Sequence, residues 1–147
     1  MGRMVVGAFS AAALGTDADM DIWQVVAGAN DKLKLHYFEI STSAIAAAAL
    51  NLQLVRRSTT GTGTAVTEEN LDEADGAITA AMVTIVAAPG TLDTTLAAWQ
   101  YEQLGSLIYQ PTPEIMPVVQ EGGRIALHLS TSAASETCNG YVVWEEL

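Results

Sequence analysis

Two histidines and one cysteine have the clearest capacity for chemistry in this sequence. His36 and His128 could act as bases or metal ligands, and Cys138 could pair with either as a thiol nucleophile. Each histidine alternates with apolar neighbours in a strand-like segment, which places its side chain toward solvent. A metal site formed by both histidines with Glu39 or another carboxylate would need the two strands to be neighbours, and no spacing demands this. Cys138 has no helix start or basic cluster beside it to lower its pKa, and no second cysteine to pair with.

Carboxylates are numerous but do not form a recognisable catalytic or calcium-binding pattern. Adjacent pairs such as Glu68 and Glu69 point to opposite faces of a strand, which argues against a glycosidase pair. Asp17, Asp19 and Asp21 alternate like the acidic half of a calcium loop, but the required glycine and closing glutamate are absent. A loose divalent-cation site is the alternative there. We predict no enzyme, no catalytic residue, no metal site and no cofactor.

Charge and hydropathy exclude two classes of partner. Seventeen acidic residues against six basic ones give a net charge of -11, and no base lies between Arg57 and Arg124. Nucleic acids and anionic lipids bind clustered Lys and Arg, so neither is an expected partner. The apolar runs at residues 44–50 and 80–88 are far shorter than the ~20 residues that span a bilayer. The acidity indicates either a solvated surface or a preference for a basic protein partner or divalent cations.

The aromatic residues allow one binding function. They could form a platform on which a sugar stacks, whereas packing in a core otherwise built from small side chains is the favoured interpretation. The residues concerned are Trp23, Trp99, Trp144, Tyr101, Tyr109 and Tyr141.

Short strand patterns separated by turn signals run through the whole chain. Residues 50–56 alternate leucines with polar side chains. Residues 33–40 alternate and then shift phase, which fits either a strand with a bulge or a strand that becomes buried on both faces. Residues 95–104 fit a helix by composition and a strand by their neighbours. The sequence predicts one all-β domain over residues 1–147, an antiparallel β-sandwich of jelly-roll type with eight or nine strands. A long surface loop at residues 58–76 is expected after the fourth strand.

A set of short features follows in a fixed order over nearly the full length of the chain. The features are Phe9-Ser10, Asp21-Ile22-Trp23, Lys34-Leu35-His36, Val55-Arg56-Arg57 before a Thr/Gly-rich loop, Leu71-Asp72, Pro111-Thr112-Pro113-Glu114, the segment from Gly122 to Leu127, and Trp144-Glu145-Glu146-Leu147. In this order they resemble small β-sandwich virion proteins of tailed bacteriophages, of the capsid decoration or cement type. The chain departs from the family pattern in lacking an aromatic-rich middle before the Pro-Thr-Pro-Glu turn.

This resemblance implies a protein on the outer capsid surface of the virion that bridges major capsid protein subunits. It also implies a homo-oligomer, with a trimer favoured, that needs neither nucleic acid nor membrane. A carbohydrate- or receptor-binding virion module, associated with a tail or head fibre, is the alternative. The expected docking elements are an arm at residues 1–8, the loop at 58–76 and a stiff, extended connector at 111–117. Their candidate contact residues are Arg3, Met4, Val5, Thr60, Thr62, Thr64, Val66, Pro111, Pro113, Glu114 and Pro117.

Overall fold

The computed structural model describes residues 2–14, 19–43, 49–102, 105–131 and 136–147, and all regular structure in these ranges is extended except one turn of 3₁₀ helix. The all-β prediction is confirmed. The elements are β1 (Arg3–Leu14), β2 (Met20–Val26), β3 (Leu33–Thr42), β4 (Ala49–Arg57), β5 (Thr62–Ala65), β6 (Glu68–Asn70), β7 (Ala81–Ala88), β8 (Leu92–Glu102), β9 (Ser106–Tyr109), the 3₁₀ turn (Pro113–Ile115), β10 (Val118–Val119), β11 (Arg124–Thr131) and β12 (Glu136–Glu146).

The strands form two antiparallel six-stranded sheets that pack face to face as a sandwich. Sheet I has the order β10-β3-β12-β1-β6, with β9 also pairing with β3, and sheet II has the order β5-β7-β2-β11-β4-β8. The two sheets exchange strands along the chain, so that β1, β3 and β12 belong to sheet I and β2, β4 and β11 to sheet II. These six strands therefore lie between partners that are distant in sequence, whereas β8 is at the edge of sheet II.

Alternating apolar side chains from both sheets build the core. In β4, Leu50, Leu52 and Leu54 are fully buried while the residues between them are half-exposed, as the alternation predicts. Trp23 and Trp144 are the largest fully buried side chains, and Trp23 meets Phe38 edge-on with ring centroids 5.3 Å apart. These large rings fill the space between sheets that are otherwise lined by smaller side chains.

Of the two alternatives for β3, the strand with a bulge is confirmed. Val143 pairs with Tyr37 and Trp144 with Leu35, so His36 is the extra residue opposite β12. The insertion shifts the phase of the strand, and both Leu35 and Phe38 face the core as a result.

One open alternative is decided and two sequence-based expectations need correction. Of the helix and the strand considered for residues 95–104, the strand is confirmed over 95–102, which continue β8, while 103–104 fall outside the described residues. Residues 58–76 are not one continuous loop, because β5 pairs with β7 and β6 pairs with β1. The described residues hold twelve strands rather than eight or nine, since β5, β6 and β10 have only four, three and two residues, too few to show alternation.

Candidate docking surface

The predicted docking residues lie on two opposite lateral edges of the sandwich. Arg3, Met4 and Val5 belong to β1, which pairs with the edge strand β6. The segment 66–70, which contains the candidate Val66 and β6, therefore lies next to β1. Residues 111–117 connect β9 to β10, and both of these strands flank β3 at the other end of sheet I. Residues 3–5 and 66–70 therefore lie together in one region, and residues 111–117 lie in another.

The predicted N-terminal arm is part of the body of the sheet. Residues 3–8 pair with β12 on one side, and Val5 to Gly7 pair with β6 on the other. Val5 is fully buried, whereas Arg3 and Met4 are half-buried. An arm that reaches a partner independently is not present in residues 3–8, because their backbone hydrogen bonds are made within sheet I.

Arg3 is held by a buried carboxylate. Its Nη2 and Nε donate to Oε2 of Glu146 at 2.7 and 3.1 Å, and the Glu146 side chain is 1% exposed. The backbone N–H groups of Thr79 and Ala80 also donate to Glu146, the latter at 2.7 Å. Asp31 accepts from Arg3 at 3.3 Å and from the Thr79 hydroxyl at 2.6 Å. This network joins β1, β12 and the residues just before β7. The Arg3 guanidinium is therefore already paired with carboxylates of the same protein.

The threonine tract is exposed but anchored. Thr60, Thr62 and Thr64 are exposed, and Val66 is half-buried against the core. The Arg124 guanidinium donates to the Thr60 hydroxyl through Nε and to the carbonyl of Ser58 through Nη1 at 3.1 Å. The rest of the threonine tract is held by the short antiparallel pairing between β5 and β7. The tract thus presents hydroxyl groups on a backbone that is held in place.

The proline connector combines buried and exposed positions. Pro111 is buried, Pro117 is half-buried, and Pro113 and Glu114 are exposed. The expectation of a continuous extended path is wrong over the 3₁₀ turn at Pro113–Ile115, which the fixed φ of Pro113 favours at a helical start. Hydrogen bonds from its own backbone N–H and from Thr112 lower the pKa of the Glu114 carboxyl. The turn therefore displays an ionised carboxylate at the surface.

Sequence reasoning missed an apolar lateral edge that runs from β8 to the 3₁₀ turn. Of the seven exposed large hydrophobic side chains in the described ranges, four lie here, with exposed fractions of 50% for Leu92, 36% for Leu96, 55% for Ile108 and 68% for Ile115. Within those ranges β8 pairs only with β4, and β9 pairs only with β3. We name this region the β8–β9 edge. The available signal was the absence of any base between Arg57 and Arg124, combined with leucines in and just before residues 95–104, whose secondary structure the sequence left open.

A buried polar cluster on the outer face of sheet II was also missed. Arg57 donates to both carboxylate oxygens of Asp21, with Nη2 to Oδ1 at 2.6 Å and Nε to Oδ2 at 3.2 Å. Nδ1 of His128 lies 2.9 Å from Arg57 Nη2 and 3.1 Å from Asp21 Oδ1, and Gln24 donates to Asp21 at 3.2 Å. The expectation that His128 faces solvent is therefore wrong, because its side chain is 11% exposed.

Chain segments that cross the outer face of sheet II explain this burial. The N–H of Gly61 donates to the Gln24 side chain at 3.2 Å, and Arg57 Nη1 donates to the carbonyl of Gly90 at 3.1 Å. Alternation correctly places His128 opposite the core-facing leucines beside it, but it does not report that other segments cover that face. The hydrogen bonds of the cluster therefore join sheet II to these covering segments.

The residues considered for catalysis do not come together. His36 is in sheet I, half-buried, with Nε2 3.1 Å from Glu145 Oε2, whereas His128 is in sheet II. Cys138 is fully buried in sheet I, and burial raises the pKa of its thiol to about 12, so it stays protonated at neutral pH. Within the described ranges no three His, Cys, Asp or Glu side chains are grouped so as to hold a metal ion. The same ranges contain no helix that is long and apolar enough to cross a membrane.

The tryptophans do not form an exposed platform. Trp23 and Trp144 are fully buried, and Trp99 is half-buried and packs edge-on against Phe38 and Tyr109, at centroid distances of 6.1 and 5.8 Å. The core-packing interpretation therefore holds for all three.

Comparison with known proteins does not assign the chain to a family. No protein-family model matches the chain, no curated protein matches it, and no solved structure matches it.

Proposed function

We propose that this protein is a capsid decoration (cement) protein of a tailed bacteriophage, located on the outer surface of the virion. In this role it docks on the capsid and stabilises contacts between major capsid protein subunits. The family resemblance of the sequence suggests the role, and the exposed apolar β8–β9 edge is the structural observation that carries it. A protein that works through repeated interfaces needs such an edge and needs no catalytic group.

We further propose that the sandwich is a jelly roll, supported by the neighbour relations of its eight main strands. β1, β12, β3 and β9 are successive neighbours in sheet I, and β2, β11, β4 and β8 are successive neighbours in sheet II. This arrangement is that of two interleaved Greek keys, and β5 to β7 form an insertion between the fourth and fifth strands of the pattern. Viral capsid proteins are one class that uses this architecture.

The β8–β9 edge is suited to contacts between copies of the protein. β8 is eleven residues long and contains neither lysine nor proline, two residues that protect an edge strand from pairing. Its acidic residues Asp93 and Glu102 and the two bulges in its pairing with β4 limit pairing to the stretch between them. Its exposed leucines add apolar surface beside the backbone donors and acceptors of the edge. We propose that homo-oligomers, with a trimer favoured by the family resemblance, form through this edge.

We propose that the exposed polar positions described above make the contacts with the capsid. Thr60, Thr62 and Thr64 offer hydroxyl groups on an anchored backbone, and Glu114 offers an ionised carboxylate beside exposed Pro113. A chain with a net charge of -11 favours a basic surface on the major capsid protein.

Co-sedimentation with undecorated capsids tests the function. The protein should bind with saturable stoichiometry and raise the temperature at which the capsids are disrupted. Failure to co-sediment at every salt and divalent-cation concentration would refute the proposed function.

Two surface variants test the part played by the edge. Leu96→Lys in β8 should convert the oligomer to a monomer in light scattering and weaken capsid binding, whereas Leu71→Lys, at an exposed position beside β6, should do neither. A wild-type protein that is monomeric, or an oligomer that Leu96→Lys leaves intact, would refute the role of the edge.

A further inference from the structure

A shallow hollow of about 280 Å³ lies on the face of sheet I that points away from the core. It spans the three adjacent strands β1, β12 and β3, and its lining residues are Phe9, Glu39, Ser41, Asn139, Gly140 and Tyr141. The hollow adjoins the β8–β9 edge, because Glu39 and Ser41 pair with Ile108 and Ser106 of β9, and it is separate from the buried cluster of sheet II. Nothing in the proposed decoration function uses it.

Strand register brings the chemistry of the hollow together. Tyr141 pairs with Glu39, and Asn139 pairs with Ser41, so four alternate positions of two neighbouring strands share one outward face. They supply an aromatic ring, a carboxylate, an amide and a hydroxyl within one small area. No lysine or arginine lines the hollow, and Glu39 is its only charged group.

The aromatic ring and the carboxylate are held in position. Tyr141 is 36% exposed and stacks on Tyr37, with ring centroids 5.3 Å apart and an interplanar angle of 26°. The Tyr37 hydroxyl donates to Oε2 of Glu39 at 3.0 Å. Hydrogen bonding to Tyr141, burial and the Glu39 carboxylate raise the pKa of the Tyr37 phenol, which therefore remains the donor. Tyr37 therefore holds both the Tyr141 ring and one carboxylate oxygen of Glu39 in position.

The amide is fixed by an unusual piece of backbone. Between Phe9 and Ala12, β1 has a bulge opposite Asn139, and Ala11 there has a positive φ of 52°. The N–H of Ala11 donates to Oδ1 of Asn139 at 2.7 Å, which leaves the Nδ2 hydrogens as the donors of that amide. A non-glycine residue with positive φ costs free energy, and such residues and bulges are enriched at functional sites. The strain at Ala11 therefore supports a binding role for the adjacent hollow.

We propose that this hollow binds a neutral sugar residue of a glycan. The exposed face of Tyr141 packs against the C–H face of the sugar ring, while Glu39, Ser41 and Asn139 exchange hydrogen bonds with its hydroxyl groups. A polyhydroxylated ring needs acceptors and donors around one apolar face, and these four side chains supply that combination. The lone Glu39 charge and the acidic surface disfavour sialic acids and uronic acids.

A glycan array containing neutral and sialylated glycans, followed by NMR titration with the best neutral monosaccharide, tests this site. Binding should be weak, and the neutral sugar should shift the amide signals of residues 39–41 and 139–141. Tyr141→Ala and Glu39→Gln should each weaken binding about tenfold or more, since each removes a principal contact. Glu69→Gln, an exposed glutamate of β6 in the same sheet, is the matched control and should bind like the wild type.

Three results would overturn the proposal. These are no binding of any neutral glycan, equal affinity of the wild type and both hollow variants, or preferential binding of tetramethylammonium or lysine, which would make the hollow a cation site. Thermal unfolding of each variant checks that it is folded, and Glu39→Gln, which retains the size of the side chain, keeps the test valid if Tyr141→Ala is unstable. Capsid co-sedimentation should be unchanged in Glu39→Gln, so the two proposals can fail independently.

Discussion

Replacement of Arg57 by alanine tests the buried polar cluster most directly. The Arg57 and Asp21 side chains are 5% and 0% exposed, and Arg57 donates to both carboxylate oxygens. In Arg57→Ala the Asp21 carboxylate would remain buried and lose its guanidinium, with Gln24 and His128 as its remaining close partners. The hydrogen bond from Arg57 to the carbonyl of Gly90 would also be lost.

The expected cost is large relative to the stability of one domain. Breaking a buried ion pair by removing one partner costs about 3–5 kcal/mol, whereas a domain is typically stable by roughly 5–15 kcal/mol. At this chain length the midpoint of thermal unfolding should fall by about 6–20 °C. Arg56→Ala is the control, because Arg56 is half-buried and makes one hydrogen bond, to the carbonyl of Val118 at 3.0 Å. Its cost should be nearer 1 kcal/mol.

Urea unfolding followed by tryptophan fluorescence measures both variants, since Trp23 and Trp144 are fully buried and become exposed only on unfolding. The double variant Asp21→Ala, Arg57→Ala should cost less than the sum of the two single variants, because the second change removes the charge that the first left unpaired. An Arg57→Ala variant within about 1 kcal/mol of wild type, or strictly additive costs, would refute the interpretation of the cluster as a stabilising ion pair.

Three further predictions concern other parts of the molecule. Cys138, with a pKa raised from 9.0 to about 12, should react with a thiol reagent at pH 8 far more slowly in the native protein than in urea. Because the unfolded state loses this proton first, stability should fall as the pH rises from 9 toward 12. Cys138→Ala should reduce that dependence without abolishing it, because Tyr37, Tyr101 and Tyr109 also have raised pKa values and contribute with the same sign. Glu146→Ala should cost about 2–3 kcal/mol in urea unfolding by leaving buried donors unpaired, whereas Glu145→Ala, at a more exposed position, should cost less than about 1 kcal/mol. Gly90→Ala should lower the melting temperature, since a Cβ there would overlap the carbonyl oxygen of Thr59, and an unchanged melting temperature would contradict that contact.

The long strands could be predicted because their signal is local. The alternation of Leu50, Leu52 and Leu54 is a direct consequence of a side-chain period of two, and the phase shift after Tyr37 reports the bulge in β3. Both signals come from neighbouring residues in the chain and need no knowledge of the partner strand.

The features that the sequence did not reveal depend on distant segments. His128 alternates with apolar residues as a solvent-facing side chain would, yet Arg57, Asp21 and Asp19 lie against its ring nitrogens. The segments containing Gly61 and Gly90 bond to Gln24 and Arg57 of the same cluster. The strands β5 and β6 are defined by pairing with β7 and β1 and not by their own composition. The hollow around Tyr141 likewise requires the register between β12 and β3, which no local pattern determines.

The central position of β12 in sheet I determines when the fold can form. β12 lies between β1 and β3, so neither of these strands has its main partner until the last residues of β12 have left the ribosome. Pairing strands that are far apart in sequence is slow, because a long segment must be closed before any contact stabilises it. The pairs β2–β7, β4–β8 and β3–β9 can form earlier, but we expect sheet I to be completed only after synthesis reaches β12, with β1 exposed to aggregation until then.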